Sequence, residues 1–266
     1  MKSKKSLFAL VVLPAVLGIF VVGVFFLRRE KEPVPASVPA PVSYDSTPAS
    51  QSAEPEPGIE TESESAPAEP VSPNVANLPV EVNLKVPFTS QAPHQNWDMP
   101  YQEFCEEASM LMAASYVKGE VISGPDDADK KLLAIKAFEE KKFGSYKDTT
   151  VEETAAVLKE YFKLTKVEIV ADPTEQKLKQ VLAEGKVAIV PAAGRELGNP
   201  NFRRPGPIFH MLVVKGYTKT GNFITNDPGT RKGADYTYKP SVLLNAVHDW
   251  NGGDVNNGKK AAIIVG

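Results

Sequence analysis

The spacing of apolar residues predicts helices first and strands later in the folded part of the chain. A helix is predicted over 103–117, ended by Gly119, because apolar and small residues recur there every three or four positions. Further helices are predicted on the same ground over 127–142, 151–161, 174–183 and 240–248. Runs rich in β-branched and aromatic residues predict strands over 82–88, 165–170, 186–192, 208–217, 221–226, 234–239 and 260–265. Leading helices followed by an antiparallel set of strands indicate the α+β class.

An uncharged, mostly apolar run covers residues 6–27, after a short basic N-terminus at 1–5. This run is long enough to cross a bilayer as a helix. It ends on Phe25-Phe26-Leu27-Arg28-Arg29, without the small-residue cleavage site of a signal peptide, so we predict an uncleaved signal anchor. The lysines of 1–5 favour a cytoplasmic N-terminus, which would place the rest of the chain outside the cytoplasm.

The segment 28–80 differs in composition from what precedes and follows it. Residues 33–80 contain no Lys or Arg, are acidic, and are rich in Pro, Ala and Ser. Such a composition cannot bury a core, so we expect an extended, disordered linker. The remainder, 81–266, has the length of one domain and holds 24 basic and 24 acidic residues. A formally neutral domain gives no electrostatic basis for nucleic-acid binding.

Cys105 is the single cysteine of the chain, which excludes an internal disulfide and a multi-cysteine metal site. We expect neither a metal nor a cofactor. The place of Cys105 at the start of the helix over 103–117 favours the thiolate through the helix dipole and leaves backbone N–H groups free for an oxyanion. Glu106 and Glu107 disfavour a nearby anion, so activation would depend on an imidazole. The alternative is that Cys105 is a small buried core residue.

Of the three histidines, His210 is the best candidate for that imidazole. It begins a strongly β-forming, otherwise apolar run, where an ionisable ring needs a polar partner; a core histidine bonded to the backbone is the alternative. His94 lies in a polar loop and His248 at a helix end. A third group, which would orient the imidazole, is expected at the end of the next strand. Asn226 and Asp227 lie on opposite faces there, so only one of them can reach the ring. A plain Asp-Pro-Gly turn is the alternative there.

The order of cysteine, then histidine on a strand, then Asn or Asp on the next strand resembles that of papain-like peptidases. The local sequences are similar to the bacteriocin-leader-processing peptidases and their stand-alone relatives. The similar strings are Val86-Pro87-Phe88-Thr89-Ser90-Gln91, the helix-opening Cys105, His210-Met211-Leu212-Val213-Val214-Lys215-Gly216-Tyr217, and Asn226-Asp227-Pro228-Gly229. No P-loop is present, so we expect a stand-alone, membrane-anchored form.

This resemblance implies a papain-like fold, in which N-terminal helices carrying the nucleophile pack on an antiparallel sheet. It also implies that Asp227 rather than Asn226 orients His210, and that Gln91 donates its side-chain amide to the oxyanion together with the Cys105 N–H. Gln91 is farther from Cys105 in sequence than in papain, which leaves Gln95 and Gln102 as alternatives.

Other chemistries find little support in the sequence. Neither a Gly-x-Ser-x-Gly elbow nor a His-Glu-x-x-His zinc helix is present. Arg195, Arg203 and Arg204 precede His210 and are candidates for binding a substrate carboxylate, with a solvated loop as the alternative.

The expected function is that of a monomeric, membrane-tethered, extracytoplasmic cysteine peptidase acting on a peptide or cell-wall peptide through Cys105, His210 and Asp227. One alternative is a catalytically inactive surface domain that binds peptides or cell-wall polymers. Another is a cell-wall amidase with the same triad. Cleavage specificity does not follow from the sequence.

Overall fold

The computed structural model describes residues 78–266. The predicted anchor over 6–27 and nearly all of the predicted linker over 28–80 lie outside the described residues. Within 78–266, no helix combines the length and the apolar character that crossing a membrane requires.

Residues 78–266 form five α-helices and seven strands. The helices are α1 (Cys105–Lys118), α2 (Pro125–Phe143), α3 (Val151–Glu160), α4 (Glu175–Ala183) and α5 (Pro240–Ala246). The strands are β1 (Val82–Asn83), β2 (Val167–Ala171), β3 (Val187–Ala193), β4 (Phe209–Tyr217), β5 (Phe223–Asn226), β6 (Tyr236–Tyr238) and β7 (Ala261–Val265). All helices, and all strands except β1, confirm the predicted elements to within two residues at each end.

The strand predicted over 82–88 exists only at its first residues, in β1, so the prediction is wrong for 84–88. Pro87 has no N–H to give to a strand ladder. The carbonyls of Val86 and Pro87 instead accept hydrogen bonds from the Asn226 side chain, at 3.1 and 3.3 Å. The Val86 N–H donates to the Leu84 carbonyl at 2.9 Å, so the segment turns out of the sheet as a loop beside the end of β5.

The strands form one antiparallel sheet in the order β2-β7-β3-β4-β5-β6, with β1 added beside β4. Side chains alternate between its two faces. Ile189 and Met211 are buried on the face that packs against α1 and α3, whereas Val190 and Leu212 are buried on the face that packs against α4 and α5. The α+β class is confirmed, with helices on both faces of the sheet.

Helix α1 has well-defined ends that fix the position of its first residue. It begins at Cys105, after a 3-10 turn over Tyr101–Glu103, and Phe104 precedes it with non-helical angles of φ −96° and ψ 23°. It ends at Lys118, and Gly119 follows in the left-handed conformation with a φ of 66° and donates its N–H to the carbonyls of the last turn. Within the helix, the Ser109 hydroxyl donates a hydrogen bond to the Met211 carbonyl at 3.1 Å. This contact holds the start of α1 against the start of β4.

Candidate active site

A cavity of about 500 Å³ lies where α1 and β4 begin. Both Cys105 and His210 line it, although 105 residues separate them in sequence. Trp97, Phe202 and Trp250 supply apolar walls to the same cavity. The structure therefore brings the predicted nucleophile and the predicted base to one concave site large enough for part of a peptide.

Cys105 is the first residue of α1, and its side chain is buried. No side chain caps the helix start, so the Cys105 backbone N–H remains available as a donor. The Cys105 Sγ lies 3.0 Å from Glu106 Oε2. Among the hydrogen bonds of the described residues, none joins this sulfur to His210. Burial raises the pKa of the Cys105 thiol well above its usual range, and the Glu106 carboxyl raises it further, whereas the Met211 backbone lowers it.

Glu106 is 1% exposed, and both of its carboxyl oxygens contact other residues. Its Oε2 faces the Cys105 sulfur, and its Oε1 accepts a hydrogen bond from the Thr149 backbone N–H at 3.2 Å. Burial raises the pKa of Glu106 to about 8, the Cys105 hydrogen bond lowers it, and Asp148 adds to the rise. Glu106 is therefore largely protonated at neutral pH.

A pair of buried carboxyl groups lies between α1 and α2. Glu107 and Glu139 are both fully buried, and no other described residue gives their carboxyl oxygens a hydrogen bond. Burial first, and then the nearby Glu139 carboxyl, raise the pKa of Glu107 well above its usual range. Burial first, and then Glu106, raise the pKa of Glu139 to about 9. The pair can be buried at neutral pH only because it retains protons.

His210 is the second residue of β4 and is 1% exposed. Its Nε2 lies 2.8 Å from Asp227 Oδ1, which leaves Nδ1 as the ring nitrogen not engaged by this carboxylate. The Phe202 ring meets the imidazole edge to face, with centroids 5.1 Å apart. A Cβ at Gly229 would lie 2.8 Å from His210 Cε1, so the absence of a side chain at Gly229 is what leaves room for the ring.

Asp227 follows β5 and receives four hydrogen bonds while fully buried. Oδ1 meets His210 Nε2 and the Gly229 N–H, the latter at 3.0 Å. Oδ2 accepts from the Tyr238 hydroxyl at 2.6 Å and from the Asn199 amide at 3.0 Å. Burial alone would raise the pKa of Asp227, but the attraction of His210 and these hydrogen bonds hold it below its usual value. The carboxylate is therefore ionised and fixed in orientation.

The structure distinguishes Asp227 from Asn226 as the neighbour of His210. The Asn226 side chain donates to the Val86 and Pro87 carbonyls, whereas Asp227 contacts the imidazole ring. The opposite directions of the two side chains follow the strand alternation that the sequence predicts. Tyr238 and Asn199 were not among the predicted site residues.

The three candidate glutamines occupy different environments. Gln91 and Gln102 line the cavity, whereas the Gln95 Oε1 accepts a hydrogen bond from Arg231 at 2.8 Å and lies outside the cavity wall. The Gln91 backbone N–H donates to the Pro228 carbonyl at 3.0 Å, beside the Asp227 turn. Its Nε2 donates to the carbonyls of Tyr101 and Gln102, at 3.0 and 2.9 Å. Both of its amide hydrogens are thus engaged, and its part in binding an oxyanion stays a prediction.

Of the remaining predicted candidates, Arg203 and Arg204 line the cavity, whereas Arg195, His94 and His248 do not. His94 pairs with Asp126 at 3.2 Å, and His248 Nδ1 meets the Gly258 carbonyl at 2.8 Å. Arg203 and Arg204 are exposed and line the cavity, whereas the Arg195 Nε donates to the Gly206 carbonyl at 3.4 Å. In the part of the chain that the structure describes, no cluster of three or more His, Cys, Asp or Glu is arranged to hold a metal ion.

Comparison with known proteins adds a family to this geometry. The sequence model of the Peptidase_C39 like family matches residues 83–252, a span that contains Cys105, His210 and Asp227. No curated protein matches the sequence.

Several solved structures are similar to the chain. A structure described as that of a C39-like peptidase from Bacillus anthracis is 15% identical with a TM-score of 0.46, and the match covers 70% of this chain and 98% of that one. A prointerpain A fragment from Prevotella intermedia is 16% identical with a TM-score of 0.45, covering 73% and 74%. Xylellain, a cysteine protease from Xylella fastidiosa, is 15% identical with a TM-score of 0.45, covering 72% and 87%.

Proposed function

Since the chain belongs to the Peptidase_C39 like family and is on that ground a cysteine peptidase, we propose that Cys105, His210 and Asp227 carry its chemistry. The observation that supports this most is the 2.8 Å contact between His210 Nε2 and Asp227 Oδ1 at a cavity that Cys105 also lines. An imidazole whose one nitrogen donates to a fixed carboxylate has its other nitrogen free to accept a proton.

The proposed reaction begins with transfer of the Cys105 thiol proton to His210 Nδ1. For this transfer the S–H bond, which is directed at Glu106 Oε2 in the structure, turns towards the ring while the sulfur stays beside Glu106. The thiolate attacks the carbonyl carbon of a peptide or amide bond, and the negative charge moves to the carbonyl oxygen. The Cys105 N–H at the start of α1 stabilises that oxygen. The Gln91 side chain adds a second donor when one of its amide hydrogens leaves the carbonyl of Tyr101 or Gln102.

The tetrahedral intermediate then collapses with cleavage of the C–N bond. The imidazolium gives its proton to the departing amine, and an acyl group stays on Cys105 as a thioester. His210 next takes a proton from water, which attacks the thioester carbon. The acid product leaves, and the thiol recovers its proton. Throughout, Asp227 keeps the proton of His210 Nε2 in place and stabilises the imidazolium.

We further propose that the domain acts outside the cytoplasm while attached to the membrane through residues 6–27. The length and uncharged character of that run, and the lysines before it, support this. Carbonate washing of membranes should leave the chain in the membrane fraction, and protease added to intact cells or spheroplasts should digest residues 81–266. Release by carbonate, or complete protection from protease, would contradict the proposal.

A non-catalytic peptide- or polymer-binding domain is the second candidate. The observation that favours it is that the Cys105 hydrogen bond goes to Glu106, and that burial and this carboxyl raise the pKa of the thiol. A thiol that alkylates only above its ordinary pKa of about 8.5 would support the binder. A thiol that alkylates readily at neutral pH would support the peptidase.

Hydrolysis of a peptide and peptidoglycan-fragment library by the full chain tests the proposed function and separates peptidase from cell-wall amidase. Cys105→Ala should abolish hydrolysis of every hit while the circular dichroism spectrum stays unchanged. Hydrolysis at the wild-type rate by Cys105→Ala would contradict the mechanism.

A further inference from the structure

Glu106 is a buried acid in direct contact with the nucleophilic sulfur, and the reaction as proposed above gives it no part. Its Oε2 lies 3.0 Å from Cys105 Sγ. A negative charge at that distance from a thiolate in a buried site would oppose formation of the thiolate. The carboxyl is therefore compatible with catalysis only in its neutral form.

The contacts of the two carboxyl oxygens show which of them would carry the proton. Oε1 accepts a hydrogen bond from the Thr149 N–H at 3.2 Å, and an oxygen that accepts from an amide acts as the carbonyl oxygen of a carboxylic acid. The proton of neutral Glu106 then sits on Oε2, the oxygen that faces the sulfur. A hydroxyl facing a thiolate donates a charge-assisted hydrogen bond to it.

Resting on the proposed function, we propose that Glu106 is a catalytic residue that works as a neutral acid, donating a hydrogen bond from Oε2 to the Cys105 thiolate. His210 takes the thiol proton, and the Glu106 proton stays on Glu106 while it stabilises the sulfur. When Glu106 ionises, its carboxylate accepts the hydrogen bond of the thiol instead, and the proton is no longer available to His210.

The charged surroundings of Glu106 favour the neutral form. The ionisable groups around it are Cys105 and Glu107 on α1, Glu103 in the preceding turn, Asp148 before α3, Glu139 on α2, and His210 across the cavity. All but His210 are acids. Lys147 lowers the pKa of its neighbour Asp148, and the exposed Arg203 and Arg204 are the cations that line the same cavity. With burial as the largest cause, the pKa of Glu106 is raised to about 8, and a thiolate beside it would raise that pKa further.

Alkylation of Cys105 by iodoacetamide tests the role without a substrate. Because Cys105 is the only cysteine, the intact mass of the full chain reports on this thiol alone. The wild-type alkylation rate should be substantial at neutral pH and should fall as the pH rises above about 8, where Glu106 loses its proton.

Two substitutions separate a donated hydrogen bond from a charge. Glu106→Gln keeps an acceptor for Thr149 and presents amide hydrogens to the sulfur, but has no proton to lose. It should alkylate at neutral pH within about threefold of wild type and should show no fall near pH 8. Glu106→Leu presents no donor and should alkylate about tenfold more slowly at neutral pH. Glu168→Gln, an exposed control on β2, should behave as wild type.

Two outcomes overturn the neutral-acid role alone. Either Glu106→Gln alkylates tenfold or more faster than wild type at neutral pH, as removal of a charge would produce, or the Gln and Leu variants, each folded by circular dichroism, react equally. Peptide hydrolysis by the wild type, measured in parallel, would then show that the proposed function stands. A wild-type thiol that reacts only above its ordinary pKa and a chain that hydrolyses nothing would overturn both proposals.

Discussion

The Tyr238 hydroxyl lies 2.6 Å from Asp227 Oδ2, on the opposite side of the carboxylate from His210. The Asn199 side-chain amide donates a hydrogen bond to the same oxygen, and it also donates to the Tyr238 hydroxyl at 2.9 Å. Burial first, and then Asp227, raise the pKa of Tyr238, so the phenol keeps its proton as a donor. The two residues hold Asp227 ionised and oriented towards His210.

Removal of the tyrosine hydroxyl should weaken this arrangement without abolishing it. We expect Tyr238→Phe to lower the free energy of unfolding by about 1.5–3 kcal/mol, because a buried carboxylate loses a short hydrogen bond. Since Asp227 is then more easily protonated, the acid limb of the pH–activity profile should move to higher pH. Urea denaturation and kcat/KM against pH are the measurements. Tyr236→Phe, whose hydroxyl makes none of these contacts, is the control, and an unmoved acid limb in Tyr238→Phe would refute the positioning role.

Asp227→Asn should keep the shape of the site but remove its charge. The amide no longer stabilises an imidazolium, and it can offer N–H rather than oxygen to His210 Nε2. We expect kcat/KM to fall about 100-fold or more, with KM little changed. Asn226→Ala should cost stability through its contacts to Val86 and Pro87 and leave the pH profile of kcat/KM unchanged. A larger change of that profile in Asn226→Ala than in Asp227→Asn would reverse the assignment.

Gly229→Ala should displace the His210 ring. The added methyl would lie 2.8 Å from His210 Cε1 and 2.9 Å from Phe202 Cε1, and such overpacking typically costs about 1–3 kcal/mol. Activity should fall more than stability, because the ring that moves belongs to the proposed base. Gly144→Ala is the comparison, since its methyl meets no atom within 4 Å and its cost comes only from a φ of 82°. Equal losses of activity in the two variants would exclude a positioning effect at Gly229.

The buried pair Glu107 and Glu139 predicts a stability that falls with rising pH. Both groups have a raised pKa in the folded chain, so the folded chain binds more protons than the unfolded chain above about pH 4.3. Their contribution is complete below that pH and declines up to the folded pKa of about 9 for Glu139. One such group changes the free energy of unfolding by at most about 1.4 kcal/mol per pH unit.

Glu139→Gln tests this dependence by removing one ionisable group. It should flatten the decline between about pH 5 and 8 and leave the variant more stable than wild type at the upper end. Glu140→Gln on the exposed side of α2 should change the slope little, since it removes only a surface ion pair with Lys136. Identical slopes in urea denaturation series for wild type and Glu139→Gln would show that Glu139 is ionised in the folded chain.

The glutamine alternatives can be separated by kinetics. If Gln91 is the second oxyanion donor, Gln91→Ala should lower kcat about 100-fold with little change in KM. Gln95→Ala should have no effect, because Gln95 pairs with Arg231 away from the cavity. A drop in kcat for Gln102→Ala but not for Gln91→Ala would move the role to Gln102, which also lines the cavity.

The sequence predicts the parts of the site that have a local signal. Cys105 opens an apolar-periodic helix, His210 lies at the start of a β-forming run, and Asp227 directly follows the next strand, so their elements can be recognised from short windows. Tyr238 and Asn199 carry no such signal, because their contact with Asp227 depends on how β6 and a loop 28 residues before Asp227 pack together.

Burial of charged residues is what local patterns describe least well. Glu139 lies in a strongly charged stretch of the predicted helix over 127–142, and only the packing of α2 against α1 places it inside. Glu106 and Glu107 are visible beside Cys105 in the sequence, but their neutral state follows from burial. The strand predicted over 82–88 is shortened for a comparable reason. The Asn226 side chain, which is distant in sequence, donates hydrogen bonds to the carbonyls of Val86 and Pro87.

Covalent labelling of Cys105 by a peptidyl epoxide measures most directly whether His210 activates Cys105 as a nucleophile. The full-length wild type and His210→Ala are incubated with the probe at neutral pH, and the rate of mass increase is followed. We predict labelling of the wild type at one site, and a rate at least about 100-fold lower in His210→Ala, because the thiol then loses its base. Equal labelling rates in the two proteins, or no labelling of the wild type, would contradict the account.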